Sequence, residues 1–386
     1  MSTASWSPEE LRQLMGRPVR AEITREQRLA FAGKRILITG AGGSIGSALA
    51  RELAGCRPGV IGVVDHSELA LFNLERELRQ RWPDLTVEPV LLDVTRGAAI
   101  LRACRDLAPD VVYHAAAYKH VTMAERAPAA APGANVLGTV ETARAAAAVG
   151  ARFVLISSDK AADPKSVMGA TKRLAEIVAL DMASATFRPV VVRFGNVLGS
   201  SGSVLPIMRE CVRSGRPIPL TDPDATRFFM TADEAVALVL RADLLAAGAE
   251  IFWLEMGRPI RMADLATRLL ALEKAAGFRP VPIEIVGLRP GEKRTETLSD
   301  PRLVFHRTID RQIRVARQVP SACPSLARVL PRLRRTVSRA DDAAALTLLA
   351  DSLEGFTPSA QALAHARRRG TGASASDPLK RKGRAA

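Results

Sequence analysis

The sequence has few cysteines and few aromatic residues, and it contains no long apolar run. Its four cysteines, Cys56, Cys104, Cys211 and Cys323, are far apart and form no Cys-x-x-Cys pair, which argues against a disulfide framework and predicts reduced thiols. No segment approaches the roughly 18 uncharged apolar residues of a membrane-spanning helix. The first 20 residues contain acids but no apolar core, unlike a signal peptide. We therefore expect a soluble, cytoplasmic protein.

The composition is that of a folded protein with a basic end. Hydrophobic residues make up 47% of the 386 residues and charged residues 25%, which excludes a largely disordered chain. Of the net charge of +15, about +11 lies between Arg302 and Ala386. A solvated arginine-rich end is the commoner explanation for such a run. We therefore expect no nucleic-acid partner and keep peripheral contact of the tail with the inner face of a membrane as the alternative.

Apolar runs alternate with segments of helical spacing along most of the chain. A capping-box pattern at Ser7-Pro8-Glu9-Glu10 predicts a short leading helix. Predicted strands follow at Arg35–Thr39, Val60–Asp65, Val87–Leu92, Val111–His114, Phe153–Ser157, Val190–Phe194, Ile251–Met256 and Ile283–Val286, and predicted helices at Ser44–Ala54, Ser67–Arg81, Ile100–Leu107, Asn135–Val149, Ala232–Ala247 and Met262–Ala275. Near-continuous apolar strands between helices predict an α/β fold, a Rossmann doubly wound parallel sheet with a smaller C-terminal substrate-binding lobe.

The same pattern predicts how the chain is divided. Residues 1–32 are expected to form a helical lead, and 33–195 with 228–258 the dinucleotide-binding domain. A proline-rich change of rhythm after Gly195 predicts that 196–227 with 259–320 form the lobe over the carboxyl ends of the strands. A helical extension over 321–356 and a basic, disordered tail over 357–386 complete the prediction.

A glycine pattern lies between the first predicted strand and the first main helix. It is Thr39-Gly40-x-x-Gly43-x-x-Gly46. Glycines let the backbone approach a pyrophosphate closely, and the helix N-terminus presents unpaired N–H groups to it. In the strand–turn–helix context the pattern predicts a nicotinamide dinucleotide site.

Two aspartates follow at the ends of the next strands. Asp65 ends the second strand, where a carboxylate can bind the adenosine ribose and repel a 2′-phosphate, which favours NAD over NADP. Asp93 ends the third strand and could contact the adenine, or it could cap a helix.

Further motifs occur in a fixed order after the glycine turn. They are His114-Ala-Ala-Ala-Tyr-Lys-His120-Val121, Asn135-Val-Leu-Gly-Thr139, Ser157-Ser-Asp-Lys160, Val167-Met-Gly-Ala-Thr-Lys-Arg173, Val192-Arg-Phe-Gly-Asn-Val-Leu-Gly-Ser-Ser-Gly-Ser203, Thr226-Arg-Phe-Phe-Met-Thr231 and Gly287-Leu-Arg-Pro-Gly-Glu292. From about Gly33 to Glu292 the sequence resembles extended short-chain dehydrogenase/reductases, and within them the polysaccharide-biosynthesis, capsule-protein-like UDP-N-acetylglucosamine 4,6-dehydratases.

The resemblance implies a redox-neutral elimination with NAD as a retained cofactor. A hydride leaves C4 of the sugar, the resulting ketone acidifies the C5 proton, a base removes that proton, an acid expels the C6 hydroxyl as water, and the hydride returns to C6. The product would be a UDP-2-acetamido-2,6-dideoxy-4-hexulose. The resemblance also implies a UDP-sugar substrate, a role in surface polysaccharide or glycan synthesis, and a homo-oligomer.

Five residues are implied to carry the chemistry. Ser158, Asp159 and Lys160 resemble the catalytic triplet, with Asp159 as the acid at C6 and Lys160 as the base at C5. Lysine serves as a base only when its pKa is depressed. Met168 and Lys172, one helical turn apart, occupy the positions of the usual Tyr-x-x-x-Lys. A thioether transfers no proton, so the base of the first step is open, with Asp159 or a water that it orders as the candidate.

The remaining implied contacts fall into two sets. For the cofactor they are Gly40, Gly43, Ser44, Ile45, Gly46, Asp65, Asp93, Val94, Ala115, Ala116 and Lys172; for the substrate they are Lys119, His120, Asn196, Ser203, Arg227, Arg289 and Glu292. His114 and His120 lack a third ligand at metal spacing, so no metal is expected.

The sequence departs from the family in three places, which keep two rival functions open. Met168 marks a subgroup that usually has an N-terminal membrane region; this chain starts just before the soluble half, which predicts a short form or a fragment. The stretch Lys-Arg-Thr-Glu-Thr-Leu after Glu292 replaces the usual Lys-Leu-Tyr-Glu-Glu-Leu. The rivals are a UDP-hexose 4-epimerase and a catalytically silent NAD-binding scaffold or regulator.

Overall fold

A computed structural model describes residues 6–19, 22–296, 300, 302–317 and 326–372. The strands are β1 Arg35–Thr39, β2 Val60–Asp65, β3 Val87–Leu91, β4 Val111–His114, β5 Arg152–Ile156, β6 Val190–Arg193, β7 Asn196–Val197, β8 Ile218–Leu220, β9 Thr226–Arg227, β10 Phe229–Met230, β11 Glu250–Leu254, β12 Ile260–Arg261, β13 Ile283–Ile285, β14 His306–Arg307 and β15 Ile313–Ala316. The α-helices are α1 Pro8–Met15, α2 Arg25–Leu29, α3 Ser44–Ala54, α4 Glu68–Arg81, α5 Gly97–Leu107, α6 Val121–Arg126, α7 Ala130–Pro132, α8 Gly138–Ala148, α9 Val167–Asp181, α10 Val204–Arg213, α11 Ala232–Leu245, α12 Met262–Ala275, α13 Leu326–Ser338, α14 Asp342–Ser352 and α15 Ala360–Gly372.

The central sheet has the order of a doubly wound fold. Its strands run β14-β15-β11-β6-β5-β4-β1-β2-β3, with parallel pairing from β3 through β11 and antiparallel pairing of β15 and β14 at one edge. The order reverses between β1 and β4, so their carboxyl ends open a crevice where ligands bind in such sheets. The predicted Rossmann fold is confirmed.

Local signals account for most of the element boundaries. The Ser7 side chain accepts a hydrogen bond from the Glu10 backbone N–H, and Glu10 returns one, so the predicted capping box is present at α1. Strand β2 is buried along its whole length, as a strand covered on both faces must be. The predicted helix over 135–149 is split into a π-helical turn, Gly133–Leu137, and α8.

A second, smaller lobe covers the carboxyl ends of the sheet. Its core joins α10 and α12 with the paired strands β8 and β13, and α1 packs on it through Leu14 and Met15. The predicted lobe limits of 259–320 need a correction, since β15 within that range pairs with β11 of the central sheet. The chain therefore returns to the sheet after crossing the lobe.

Helices α13, α14 and α15 pack on the outer face of α9. Their apolar side chains, including Leu333, Leu349 and Ala362, share one core cluster with Met168 of α9. The Ser359 hydroxyl donates to Glu125 at 2.5 Å, and Glu125 accepts the Val167 backbone N–H at 2.7 Å. The C-terminal helices thus support the helix whose first turn carries Met168.

The expected disorder from residue 357 is wrong for part of that range. Residues 360–372 form α15, in which Ala362 and Ala366 are buried. The small residues that suggested disorder allow close packing on α14 and α6, which composition alone does not reveal. The end of the predicted basic tail, 373–386, lies outside the described residues, as do Cys323 and the start of the predicted extension. Within the described ranges no helix has the length and apolar character needed to cross a bilayer.

Truncation of Leu349 tests this C-terminal packing. Leu349 is fully buried between α14 and α9, so Leu349→Ala should lower the free energy of unfolding by about 2–5 kcal/mol, since the cavity loses contacts on every side. Urea denaturation followed by circular dichroism measures the change. Leu363→Ala, on an exposed face of α15, is the matched control and should change stability by no more than about 0.5 kcal/mol. Equal, small effects of both changes would contradict the packing.

Candidate active site

The glycine turn forms one wall of a large cavity between the sheet and the lobe. Gly40 has a left-handed φ of 64°, and a Cβ there would lie 2.5 Å from the Ala116 backbone nitrogen. A Cβ on Gly46 would lie 2.1 Å from the Gly40 carbonyl oxygen. Only glycine permits this close approach of α3 to the turn. The N-terminus of α3 at Ser44 borders the cavity, where its free N–H groups suit a pyrophosphate.

The two aspartates beyond the turn follow the neighbouring strands, with Asp65 at the end of β2 and Asp93 shortly after β3. Asp65 is buried and accepts the backbone N–H groups of Gly42 at 2.8 Å and Ser67 at 2.9 Å. These bonds fix the carboxylate at the end of β2. Asp93 is exposed and accepts the Thr95 N–H at 2.9 Å, which is a local turn before α5.

The cavity has a volume of about 880 Å³ and collects most of the predicted site residues. All five implied catalytic residues and all seven implied substrate contacts line it, together with Gly40, Gly43, Ser44, Ile45, Gly46 and Ala115 of the cofactor set. Asp65, Asp93, Val94 and Ala116 are not among its lining residues. The structure therefore joins the turn, the triplet and the lobe residues around one space, with the two aspartates outside it.

The triplet Ser158-Asp159-Lys160 forms a tight turn directly after β5. The turn is held to β6 by the Asp159 N–H, which donates to the Phe194 carbonyl at 3.0 Å. The Ser158 hydroxyl donates to Asp159 Oδ1 at 2.8 Å and accepts the Lys160 N–H at 3.3 Å. Asp159 is consequently buried, with its carboxylate directed at the lysine.

Three side chains surround the Lys160 ammonium group. Lys160 Nζ lies 3.1 Å from Asp159 Oδ1, 2.7 Å from Glu296 Oε1 and 3.2 Å from Asn196 Oδ1. Burial lowers the pKa of Lys160, but Asp159 and Glu296 raise it further than burial lowers it, so the net shift is upward. Burial also raises the pKa of Asp159, and Lys160 with the hydrogen bonds to that carboxylate brings it below its usual value.

These pKa shifts favour protonation states opposite to those that the implied roles of the pair require. An acid at C6 requires a protonated Asp159, and a base at C5 requires a neutral Lys160. The surroundings instead favour an Asp159 carboxylate and a Lys160 ammonium. The depressed pKa that a basic Lys160 requires is not present in this arrangement, because two carboxylates oppose the effect of burial.

Glu296 is the member of this cluster that sequence reasoning missed. It is buried beside Lys160, accepts the Asn196 side-chain N–H at 2.8 Å and lies 3.4 Å from Arg227 Nε. Burial, with a contribution from Asp159, raises its pKa to about 7 even though Lys160 lowers it. The available signal was the stretch after Glu292, where Glu296 retains the first glutamate of the family pattern.

Helix α9 brings Met168 and Lys172 to the same wall of the cavity, as their spacing predicts. Met168 is buried at the first turn. Lys172 Nζ donates to the Ile156 carbonyl at 2.9 Å. Burial lowers the pKa of Lys172 to about 8, and Glu176 opposes that shift. A methionine and a lysine of reduced basicity therefore occupy the wall beside the glycine turn.

Polar and basic side chains line the cavity both from the lobe and from the segment between β4 and α6. Arg227 donates to the carbonyls of Thr226 and Arg294 and lies 3.2 Å from Glu292 Oε1. Burial lowers the pKa of Lys119. Ser203 begins α10, and its buried hydroxyl has no hydrogen-bond partner among the described residues. A buried, unpaired hydroxyl that lines the cavity suits a ligand with phosphate or sugar oxygens.

His114 has a structural role between two strands of the central sheet. Its Nδ1 lies 2.7 Å from the Thr39 hydroxyl between β4 and β1, and burial lowers its pKa to about 3. Over the described part of the chain, no group of three or more His, Cys, Asp or Glu side chains is arranged to hold a metal ion.

Comparison with known proteins relates most of the chain to proteins of polysaccharide biosynthesis. Residues 36–317 match the family described as "Polysaccharide biosynthesis protein". The chain is 40% identical over 322 residues to the probable polysaccharide biosynthesis protein EpsC of Bacillus subtilis, covering 82% of this chain and 53% of that protein. It is 42% identical over 294 residues to the capsular polysaccharide biosynthesis protein CapD of Staphylococcus aureus, covering 75% and 49%. The chain thus spans about half the length of these relatives.

A relative of named activity and two solved structures extend the comparison. A Campylobacter jejuni UDP-N-acetylglucosamine 4,6-dehydratase (inverting) is 31% identical over 275 residues, covering 69% of this chain and 78% of that protein. The structure of Pen from Bacillus thuringiensis superposes with a TM-score of 0.69 at 31% identity, covering 75% and 89% of the chains. A Streptomyces venezuelae dTDP-glucose 4,6-dehydratase structure with NAD gives 0.60 at 20% identity, covering 69% and 88%, which supports the fold.

Proposed function

Since this chain belongs to the family of polysaccharide biosynthesis proteins, we propose that it is an NAD-dependent 4,6-dehydratase of UDP-N-acetylglucosamine. The class of reaction is supported by the Campylobacter relative, whose name gives that activity. Its product would be a 4-keto-6-deoxy sugar nucleotide that supplies the synthesis of a surface glycan.

The observation that carries the proposal is the position of the Asp159–Lys160 pair. The pair lines the same cavity as the glycine turn and Lys172. Loss of water from the sugar needs an acid and a base at adjacent carbons, next to the site of hydride transfer. An epimerase needs the hydride site and a base for the C4 hydroxyl proton, but no acid–base pair for water loss.

The glycine turn and its surroundings fit a bound dinucleotide. Gly40, Gly43 and Gly46 would hold the pyrophosphate at the N-terminus of α3, Asp65 the adenosine ribose, and Lys172 the nicotinamide ribose. When bound, NAD supplies the hydride acceptor for C4 and the hydride donor for C6. Lys172 is held in place by its bond to the Ile156 carbonyl, which orients the ammonium group toward the cavity wall.

Replacing Asp65 tests the preference for NAD. Asp65→Ser should shift the ratio of the NADP and NAD dissociation constants by about tenfold in favour of NADP, or about 1.4 kcal/mol, because it removes a carboxylate that repels a 2′-phosphate. Fluorescence titration with both cofactors measures the ratio. Asp93→Ser is the comparison, since Asp93 is exposed and bonded only locally, and it should change the ratio less. An unchanged ratio in Asp65→Ser would contradict the assignment.

The basic side of the cavity is proposed to bind the UDP-sugar. Arg227 and Arg289 can make charge-assisted hydrogen bonds to the diphosphate, with Lys119, His120, Asn196, Ser203 and Glu292 as the further contacts. Arg227 is already oriented by two backbone carbonyls and Glu292. Its guanidinium is therefore fixed before substrate binds.

A single proton transfer converts the ionised Asp159–Lys160 pair into the neutral pair that the reaction needs. Transfer from Lys160 to Asp159 across their 3.1 Å contact gives a neutral amine and a carboxylic acid without changing the net charge. Substrate that displaces water from the cavity would favour the neutral pair. Lys160 can then take the C5 proton while Asp159 protonates the departing hydroxyl.

A product assay tests the proposal. Purified protein with NAD and UDP-N-acetylglucosamine should give a product lighter by one water in mass spectrometry. An unchanged mass with inverted C4 would support the epimerase, which also has relatives here, including a Rickettsia bellii UDP-glucose 4-epimerase 31% identical over 278 residues. NAD binding with no turnover of any UDP-sugar would support the silent scaffold. The homo-oligomer, cytoplasmic location and contact of the tail with a membrane stay predictions.

A further inference from the structure

The proposed dehydration leaves one proton unassigned, and this inference rests on that proposed function. Oxidation at C4 releases the proton of the C4 hydroxyl. Lys160 returns to C5 the proton that it removed, whereas Asp159 loses its proton to the departing water. Over one turnover a base must therefore gain a proton, and Asp159 must regain one. Met168 at the usual tyrosine position can do neither.

Glu296 lies where such a base is needed. Its carboxylate borders the cavity and is 2.7 Å from Lys160 Nζ. The charged groups around it are Lys160 and Asp159 on the triplet turn and Arg227 on β9, with Glu292 beyond Arg227. Asn196 Nδ2 holds the second oxygen at 2.8 Å. The side chain is thus fixed beside the catalytic pair.

The free oxygen of Asp159 points to proton exchange with Glu296. Asp159 Oδ2 is buried, and no N–H or hydroxyl of the described residues donates to it. A buried acceptor without a donor is destabilising. A protonated Glu296 carboxyl can donate to Asp159, since an interaction between the two side chains lowers the pKa of Asp159 and raises that of Glu296.

We propose that Glu296 is the proton store of the reaction and replaces the absent tyrosine in its proton balance. As C4 is oxidised, the C4 O–H bond breaks and its proton passes to the Glu296 carboxylate, directly or through one water. After Asp159 has given its proton to the leaving hydroxyl, the Glu296 O–H bond breaks and that proton moves to Asp159 Oδ2. Each turnover then restores both carboxyls, and no external acid or base is consumed.

The ionisation of Glu296 suits this role near neutral pH. With a pKa raised to about 7, the carboxyl is present in both forms at pH 7 and can accept and return a proton with little cost. It must be ionised to accept the C4 proton. The kcat of the wild-type protein should therefore fall as the pH drops below about 7.

Two substitutions at Glu296 test the proposal. Glu296→Gln keeps the shape but cannot exchange protons, so kcat should fall by about 10²- to 10⁴-fold and the decline of kcat below pH 7 should disappear. Glu296→Asp keeps a carboxyl and should retain a pH-dependent rate above that of Glu296→Gln. Glu292→Gln removes a carboxylate that also contacts Arg227 but not Lys160; it should alter KM and keep the pH dependence.

The outcomes separate this inference from the proposed function. A Glu296→Gln protein with a kcat within about threefold of wild type would overturn the proposal that Glu296 stores the proton. So would a lower kcat that still declines below pH 7, because that result is expected of a purely structural role. Infrared difference spectra of the NAD-bound wild-type protein should show a carboxyl that titrates near pH 7, and this signal should be lost in Glu296→Gln. Wild-type spectra without such a carboxyl would also overturn the proposal. Wild-type protein that shows this carboxyl but forms no dehydrated product would refute the proposed function alone.

Discussion

Replacing Asp159 by asparagine is expected to lower kcat for water loss by about 10²- to 10⁴-fold while NAD binding persists. The side chain of Asp159 is buried and bonds to Ser158 and Lys160, not to the glycine turn, so the change removes the acid at C6 and leaves the contacts of the turn in place. An asparagine side chain is also neutral and has one acceptor oxygen instead of two, which should weaken the contact with Lys160. Mass spectrometry of the product and fluorescence titration of NAD measure the two effects separately.

Asp264→Asn provides the control for the Asp159 experiment. Asp264 lies exposed in the first turn of α12, outside the cavity, and its replacement should leave kcat unchanged. Equal activity of Asp159→Asn and Asp264→Asn would exclude Asp159 as the acid. That result would favour the silent scaffold or an elimination that uses another acid.

Truncation of Glu176 to alanine is expected to destabilise the fold by about 3–5 kcal/mol. Glu176 is fully buried on α9 and lies 2.6 Å from Arg193 Nη2 and 3.2 Å from Arg173 Nη1, and Asp300 contacts both arginines at 3.3 Å. Removing the glutamate leaves two buried guanidinium groups with one carboxylate. Urea denaturation measures the loss.

The same network connects stability to the catalytic turn. The Ser157 hydroxyl donates to Glu176 at 2.5 Å, immediately before the triplet, so Glu176→Ala should also lower kcat. Glu210→Ala is the control, since Glu210 is exposed and pairs with Arg216 at the surface, and it should change stability by no more than about 0.5 kcal/mol. A loss below about 1 kcal/mol in Glu176→Ala would contradict the buried network.

The sign of the pH effect follows from the Glu176 pKa. Burial raises the pKa of Glu176, but Arg193 and the other contacts lower it by more than burial raises it, so the net shift is downward. A carboxyl with a depressed pKa contributes stability that is fully present above its usual titration range and is lost as the pH falls through the lower, folded-state pKa. The wild-type protein should therefore lose more stability on acidification than Glu176→Gln.

Local signals in the sequence were sufficient for the elements that position the site. Helix α12 has the predicted limits, Met262–Ala275, because an apolar stripe and its flanking residues define it locally. The close packing at Gly46 was also predictable, since no other residue fits between strand and helix there.

What the sequence left open depends on distant contacts. The pairing of β15 with β11 joins residues far apart in the chain, and no local pattern specifies it. The protonation of Lys160 could not be predicted, because it depends on Glu296, which is distant in the chain and contacts the triplet only in the folded protein. The sequence did not predict that residues 360–372 form helix α15, because small residues are compatible with both disorder and close packing.

The most direct test of the central claim is the fate of the hydrogen on C4. In this account NAD accepts that hydrogen and returns it to C6 within one turnover, so UDP-N-acetylglucosamine deuterated at C4 should give a dehydrated product with deuterium at C6 and no accumulation of NADH. Nuclear magnetic resonance of the product locates the label. Deuterium that remains at C4, or that leaves with released NADH, would contradict the dehydratase.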